Sequence, residues 1–149
     1  KNDLKLQLAG NVSQNITDSI QKAGLKNQLV LLGYVDHDNA VQLMNNSQVL
    51  LLIEIDKPET KAIIPGKTFE YIASRRPVIA IGPEGSDIKG LLDESGSGNY
   101  FNYNDDQLKS KILELYNIYK KEALTGNEKP IDNYHRKELT KQLVQILES

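Results

Sequence analysis

The 149-residue sequence contains no cysteine. That excludes disulfides, thiolate metal sites and a cysteine nucleophile. Histidine is nearly as scarce: His37 and His135 are the only two, and they lie far apart in the chain. They support neither a multi-histidine metal site nor a Ser–His–Asp set. No apolar run approaches the roughly 20 residues of a membrane span. The start, Lys1, Asn2 and Asp3, lacks the apolar core of a signal peptide. There is no internal repeat and no low-complexity segment. A large charge excess is also missing: the formal net charge is −2, which leaves no long-range pull toward nucleic acid or an anionic membrane. What remains is the composition of an ordinary globular domain, 39% hydrophobic and 26% charged. The length suits one domain with a sizeable core. The expected setting is the cytoplasm. The first residue is not Met and a strand-like run begins almost at once, so the chain is expected to be a fragment of a longer protein.

Strand and helix patterns alternate at short spacing. Leu4, Leu6 and Leu8 alternate with Lys5 and Gln7, a half-buried strand closed by Gly10. Ser13 is placed to cap a helix with Ile16, Ile20 and Ala23 on its apolar face, and Gly24 to stop it. Residues 29–32 form an apolar strand closed by Gly33. Asp36 caps a helix containing Ala40, Val41 and Met44. Residues 49–53 are the most apolar run and read as a central strand. Residues 54–65 show no period and contain two prolines, so they read as a long loop after a strand, a common location for function. A helix then opens at Pro65 and Gly66 and ends near Arg75 and Arg76. Pro77 starts the buried strand 78–81. Ser86 caps a helix with Ile88, Leu91 and Leu92 inward. A short strand at Tyr100 and Phe101 follows. Asn104 and Gln107 form a capping-box pattern before a helix with Leu108, Ile112, Leu115 and Tyr119 inward. Residues 125–131 read as a linker, and Leu139, Leu143, Ile146 and Leu147 share one face of a last helix. The order predicts an α/β fold: a Rossmann-like parallel sheet of about five strands with helices on both faces. Ligands bind such sheets at the C-terminal strand ends, so the loops after Leu8, Leu32, Ile53 and Ile81 are the ones to watch.

Residues 65–81 carry the densest chemistry. Gly66, Lys67 and Thr68 suggest a P-loop, but the first glycine of that motif would fall at Lys61, too far from the preceding strand. The physics of the turn survives. Gly66 lets the backbone approach an anion, Lys67 supplies a point charge, and a helix N-terminus offers free N–H groups and a positive dipole end. Glu70 lies one turn further on. A carboxylate there can accept hydrogen bonds from the two hydroxyls of a ribose. It can equally be a solvated glutamate gaining a few tenths of a kcal/mol from the dipole. Asp36, His37 and Asp38 match the D-x-D pattern of metal-dependent transferases, although Asp36 has a sufficient role as a cap. Gly10, Asn11 and Ser13 offer a second, weaker anion cradle between a strand and a helix.

Taken in order, these features resemble the C-terminal, donor-binding domain of GT-B-fold glycosyltransferases of family 4, also called group 1. The resemblance rests on residues 6–10, 29–35, 47–52, 69–73 and 76–80, and covers nearly the whole chain. It implies a 1–149 domain that binds a nucleotide-diphosphate sugar for retaining, hexosyltransferase-type transfer, with no metal and no cofactor. Pro65, Gly66, Lys67 and Thr68 would meet the diphosphate, and Glu70 the ribose. Gly33, Tyr34 and Val35 would border the base. Gly10, Asn11, Gly85 and Ser86 are candidate donor contacts. No residue of the chain is assigned as catalytic.

The family pairs Glu70 with an earlier glutamate that contacts the sugar; its position here is Ala62, and Glu54 and Glu59 are the nearby replacements. The resemblance also implies an absent strand between the 4–8 and 49–53 strands, with unpaired edges prone to self-association, and an absent N-terminal acceptor domain as partner. The chain alone is therefore expected to be inactive. Polysaccharide biosynthesis is the family's usual business, with the full-length protein in the cytoplasm or peripheral to a membrane. The alternative is a non-catalytic Rossmann-like nucleotide-binding or interaction module on the same scaffold.

Overall fold

The structure, a computed structural model, describes residues 3–122, Leu124, Tyr134 and residues 136–148. The expected linker at 125–131 and His135 lie outside the described residues. The chain is α/β and divides into two compact units, Lys1–Leu43 and Met44–Ser149.

The first unit holds strand β1 (Leu6–Ala9), helix α1 (Gln14–Ile20) continued by a wider turn at Gln21–Leu25, and strand β2 (Leu29–Gly33). β1 and β2 pair in parallel, Leu6 opposite Leu29, with an irregularity between Leu8 and Ala9. Gly24 takes a left-handed conformation, φ 78°, which only glycine adopts without strain, and this stops the helix as its sequence predicts. Two expectations for α1 change. Ser13 occupies the cap position but its side chain makes no capping bond. Thr17, not Ile16, faces inward: Thr17 is buried with its hydroxyl donating to the Gln14 carbonyl, while Ile16 is exposed. Helix α2 (His37–Asn46) follows, capped as expected by Asp36, whose carboxylate accepts from the Asn39 N–H at 2.8 Å.

The second unit is a three-stranded parallel sheet in the order β3 (Leu50–Ile53), β4 (Val78–Gly82), β5 (Gly98–Asn102). A short 3-10 turn at Pro58–Thr60 and helix α3 (Gly66–Ala73) join β3 to β4. Helix α4 (Asp87–Ser95) joins β4 to β5, and helices α5 (Gln107–Lys121) and α6 (Arg136–Leu147) follow. Leu50, Leu52, Ile72, Val78, Ala80, Ile88 and Leu92 form the core, with Met44 and Ile64 against it. Each large apolar side chain buried this way contributes about 2 kcal/mol.

The five strands thus form two ladders rather than one sheet of about five. β1 and β3, the strands between which the resemblance puts an absent one, are both edge strands. The run at 49–53 is correspondingly not a central strand. Its even residues Leu50 and Leu52 are buried, whereas Leu51 and Ile53 are exposed, and only β4 pairs with it. The capping box before α5 is replaced as well. Asn104 sits in a left-handed turn, φ 64°, and the Asp105 carboxylate accepts from the Gln107 N–H instead. Leu108 and Leu115 are half-buried, but Ile112 and Tyr119 are exposed, as are Leu139, Leu143, Ile146 and Leu147 on α6.

Candidate functional site

Within the second unit the C-terminal strand ends carry two helix N-termini. α3 starts without a side-chain cap, because Pro65 at the cap position has no polar side chain to offer. The Thr68 N–H donates to the Pro65 carbonyl at 2.9 Å. Among the described residues the N–H groups of Gly66 and Lys67 have no partner. Gly66, Lys67 and Glu70 are all exposed, and the spacings of three and four residues set Glu70 one turn beyond Lys67 and Gly66 on the same side of the helix. Neither the Lys67 ammonium nor the Glu70 carboxylate has an ion-pair partner among the described residues. This is an open donor end with a cation beside it and a carboxylate one turn away. Thr68 stands apart from the other expected phosphate contacts. It is 1% exposed, and its Oγ1 is buried without a hydrogen-bond partner.

α4 starts differently. The Asp87 N–H donates to the Lys61 carbonyl at 3.0 Å, the Ile88 N–H to Ser86 Oγ at 3.2 Å, and the Lys89 N–H to the Ser86 carbonyl at 3.1 Å. Ser86 Oγ in turn donates to Glu54 Oε2 at 2.9 Å. Of the two candidate donor contacts here, Ser86 is buried with its hydroxyl engaged in both directions. Gly85 is exposed in a left-handed turn, φ 80°.

Glu54, the residue after β3, lies at the centre of this second cluster. Its backbone N–H donates to the Ile81 carbonyl at 2.9 Å, and its own carbonyl accepts from the Tyr103 hydroxyl. Its side chain is 8% exposed and Oε1 is buried with no hydrogen-bond partner. Leaving such an acceptor unmet typically costs about 1–3 kcal/mol, more when charged. The Tyr100 hydroxyl beside it donates to the Pro83 carbonyl at 2.9 Å. Burial, with the neighbouring Glu54 carboxylate adding to it, pushes the Tyr100 phenol well above its usual value. Gly82 makes the packing possible, since a Cβ there would lie 2.4 Å from both Glu54 Oε1 and the Tyr100 hydroxyl oxygen. The sequence holds one sign of this: a glutamate in phase with Leu50 and Leu52 falls on the buried face of a strand. Tyr100, Tyr103, Gly82 and Lys61 carry no such sign.

The two glutamates flanking the loop before Ala62 are unlike. Glu54 is buried and fixed by Ser86, whereas Glu59 is exposed on the 3-10 turn, as is Ala62 nearby.

In the first unit the Gly10 N–H donates to the Gly33 carbonyl at 2.6 Å, and both glycines have positive φ, 101° and 64°. Gly10, Asn11, Gly33 and Tyr34 are so gathered at the C-terminal ends of β1 and β2. Tyr34 is 87% exposed, an aromatic ring with no packing role in its own unit, and Val35 is half-buried. Asp36, from the D-x-D pattern, is committed to its cap, and the Asn39 N–H holds its carboxyl below the usual value. Among the described residues no group of three His, Cys, Asp or Glu is placed to hold a metal ion, and no helix is long and apolar enough to cross a membrane. Neither the protein-family models nor the curated proteins contain a match to this chain.

Proposed function

We propose that the chain is the donor-binding part of a glycosyltransferase and binds a nucleotide-diphosphate sugar for retaining transfer. The observation that carries the reading is the open N-terminus of α3 at the strand-end edge, with Gly66 and Lys67 N–H groups unpartnered and Lys67 and Glu70 exposed together. The diphosphate lies against those N–H groups and the Lys67 ammonium, where dipole and charge both favour an anion. Glu70 accepts from the ribose hydroxyls and does not itself react. In transfer, negative charge grows on the leaving diphosphate, and the same donors stabilise it. Removing one such donor typically costs about 3–4 kcal/mol in the barrier. The acceptor side is supplied by a further domain, so the chain alone transfers no sugar. The protein works in the cytoplasm or on a membrane surface facing it.

The test is a titration of the chain with UDP, GDP and ADP. One of them binds saturably with a base preference, and Glu70→Ala lowers that affinity at least about tenfold, the loss of a hydrogen-bonded pair to a charged group. No binding of any of the three, or binding indifferent to Glu70→Ala, contradicts the reading. A non-catalytic module is the alternative if nucleotide binds but the full-length protein transfers no sugar.

A further inference from the structure

Resting on the reading of α3 as the anion site, we propose that Glu54 is a positioning residue for that site. It does not touch the ligand. It ties the loop 54–65 to the start of α4, and the loop in turn presents the open end of α3. Two ties run to neighbouring residues there. The Glu54 carboxylate accepts from Ser86 Oγ at 2.9 Å, and the Lys61 carbonyl accepts from the Asp87 N–H at 3.0 Å. Between them the loop is bonded to itself. The Lys57 N–H donates to the Ile55 carbonyl and the Thr60 N–H to the Lys57 carbonyl, and the Thr60 hydroxyl lies 2.9 Å and 2.8 Å from those two carbonyl oxygens. The Ile63 N–H then donates to the Thr60 carbonyl and Ile64 packs against the core, so the chain reaches Gly66 with its course fixed.

The tie accounts for a carboxylate that the cap of α4 does not need. Ser86 accepts from the Ile88 N–H with its own oxygen, and a serine does this without a glutamate behind it. Yet Glu54 is 8% exposed, its Oε1 has no hydrogen-bond partner, and a Cβ at Gly82 would collide with it. An unmet buried acceptor works against stability. What the carboxylate adds is a bond between the loop before α3 and the helix after β4. N–H groups aimed at an anion bind best when they are already in place, because ordering a loop on binding opposes association.

The test is calorimetric titration of the chain with whichever of UDP, GDP and ADP binds. Glu54→Ala lowers the affinity about tenfold through lost preorganisation, whereas Glu54→Gln, which keeps an oxygen for Ser86 Oγ, stays within about twofold of the wild type. An unchanged affinity in folded Glu54→Ala overturns the proposal, and so does a Glu54→Gln protein as weak as Glu54→Ala. Amide hydrogen exchange tests it without any variant. The Asp87 amide must leave the Lys61 carbonyl to exchange, and saturating nucleotide slows it at least about tenfold, since coupling between the two ends of the loop is reciprocal. The Ser97 amide, bonded to the Leu92 carbonyl beyond the far end of α4, changes less than about threefold. Indifference of Asp87 to nucleotide, or equal slowing at Ser97, contradicts the proposal. Failure of all three nucleotides to bind removes the α3 reading and this proposal together. Binding with no response at Glu54 or Asp87 removes this one alone.

Discussion

Helices α3 and α4 belong to the same three-stranded unit, and both begin after a turn containing proline and glycine. Pro65 leads into one, which opens on Gly66, and Pro83, Glu84 and Gly85 precede the other. At α4 the chain satisfies its own donors, with a serine cap, a carbonyl from the loop and a buried carboxylate behind the serine. At α3 the cap position is a proline, and the first two N–H groups are left for something outside the described residues to meet. A helix N-terminus carries roughly half a unit of positive charge wherever it occurs. In the proposed function α3 is the binding end because the protein has not already occupied its first N–H groups. Ser86, a candidate donor contact from its place in the strand-end loop, is the residue that caps α4.

The largest effect expected from breaking this comparison is at Gly82. Gly82→Ala drives a methyl into Glu54 Oε1 and the Tyr100 hydroxyl, where there is no space. A loss of about 3 kcal/mol in urea unfolding is expected, at the upper end for overpacking. Next is Ser86→Ala, which removes the cap of α4 and leaves Glu54 Oε2 without its donor. About 2 kcal/mol is expected from the cap and the orphaned carboxylate together. The smallest effect has the opposite sign. Pro65→Ser gives α3 the kind of cap that α4 has, and should add about 0.5–1 kcal/mol of stability while weakening nucleotide binding, because the new hydroxyl competes for the N–H groups. A Pro65→Ser protein that gains stability and also binds nucleotide more tightly would show that the open N-terminus is not the anion site.

Much of this could be read beforehand, and the failures have physical causes. The α/β alternation, the caps at Asp36 and Ser86, the stop at Gly24 and the helix opening at Gly66 all follow from local chemistry, and local chemistry is what a sequence displays. The exposed face shared by Gly66, Lys67 and Glu70 follows from helical spacing alone. The split into two ladders does not, because an apolar run such as 49–53 fits a central strand and an edge strand equally well. Nor does the cap of α5: Asn104 and Gln107 fit the capping pattern, yet Asp105 is nearer the open N–H and takes it. The Glu54 cluster was the least legible part. It depends on Tyr100, Tyr103 and Gly82 converging across three strands, and no spacing within the chain announces that. Thr68 is instructive in the other direction, since its position in the motif suggested a phosphate contact and its burial follows from the same helical phase that buries Ile72.

The central claim is that the anion goes to α3 and not to α4, and amide chemical shifts read this directly. In a nitrogen–proton correlation spectrum titrated with the nucleoside diphosphate that binds, the amides of Gly66 and Lys67 are expected to shift progressively and saturate. Those of Asp87 and Ile88, already bonded to Lys61 and Ser86, are expected to stay in place. Saturating shifts at Asp87 and Ile88 with Gly66 and Lys67 unmoved would contradict the account.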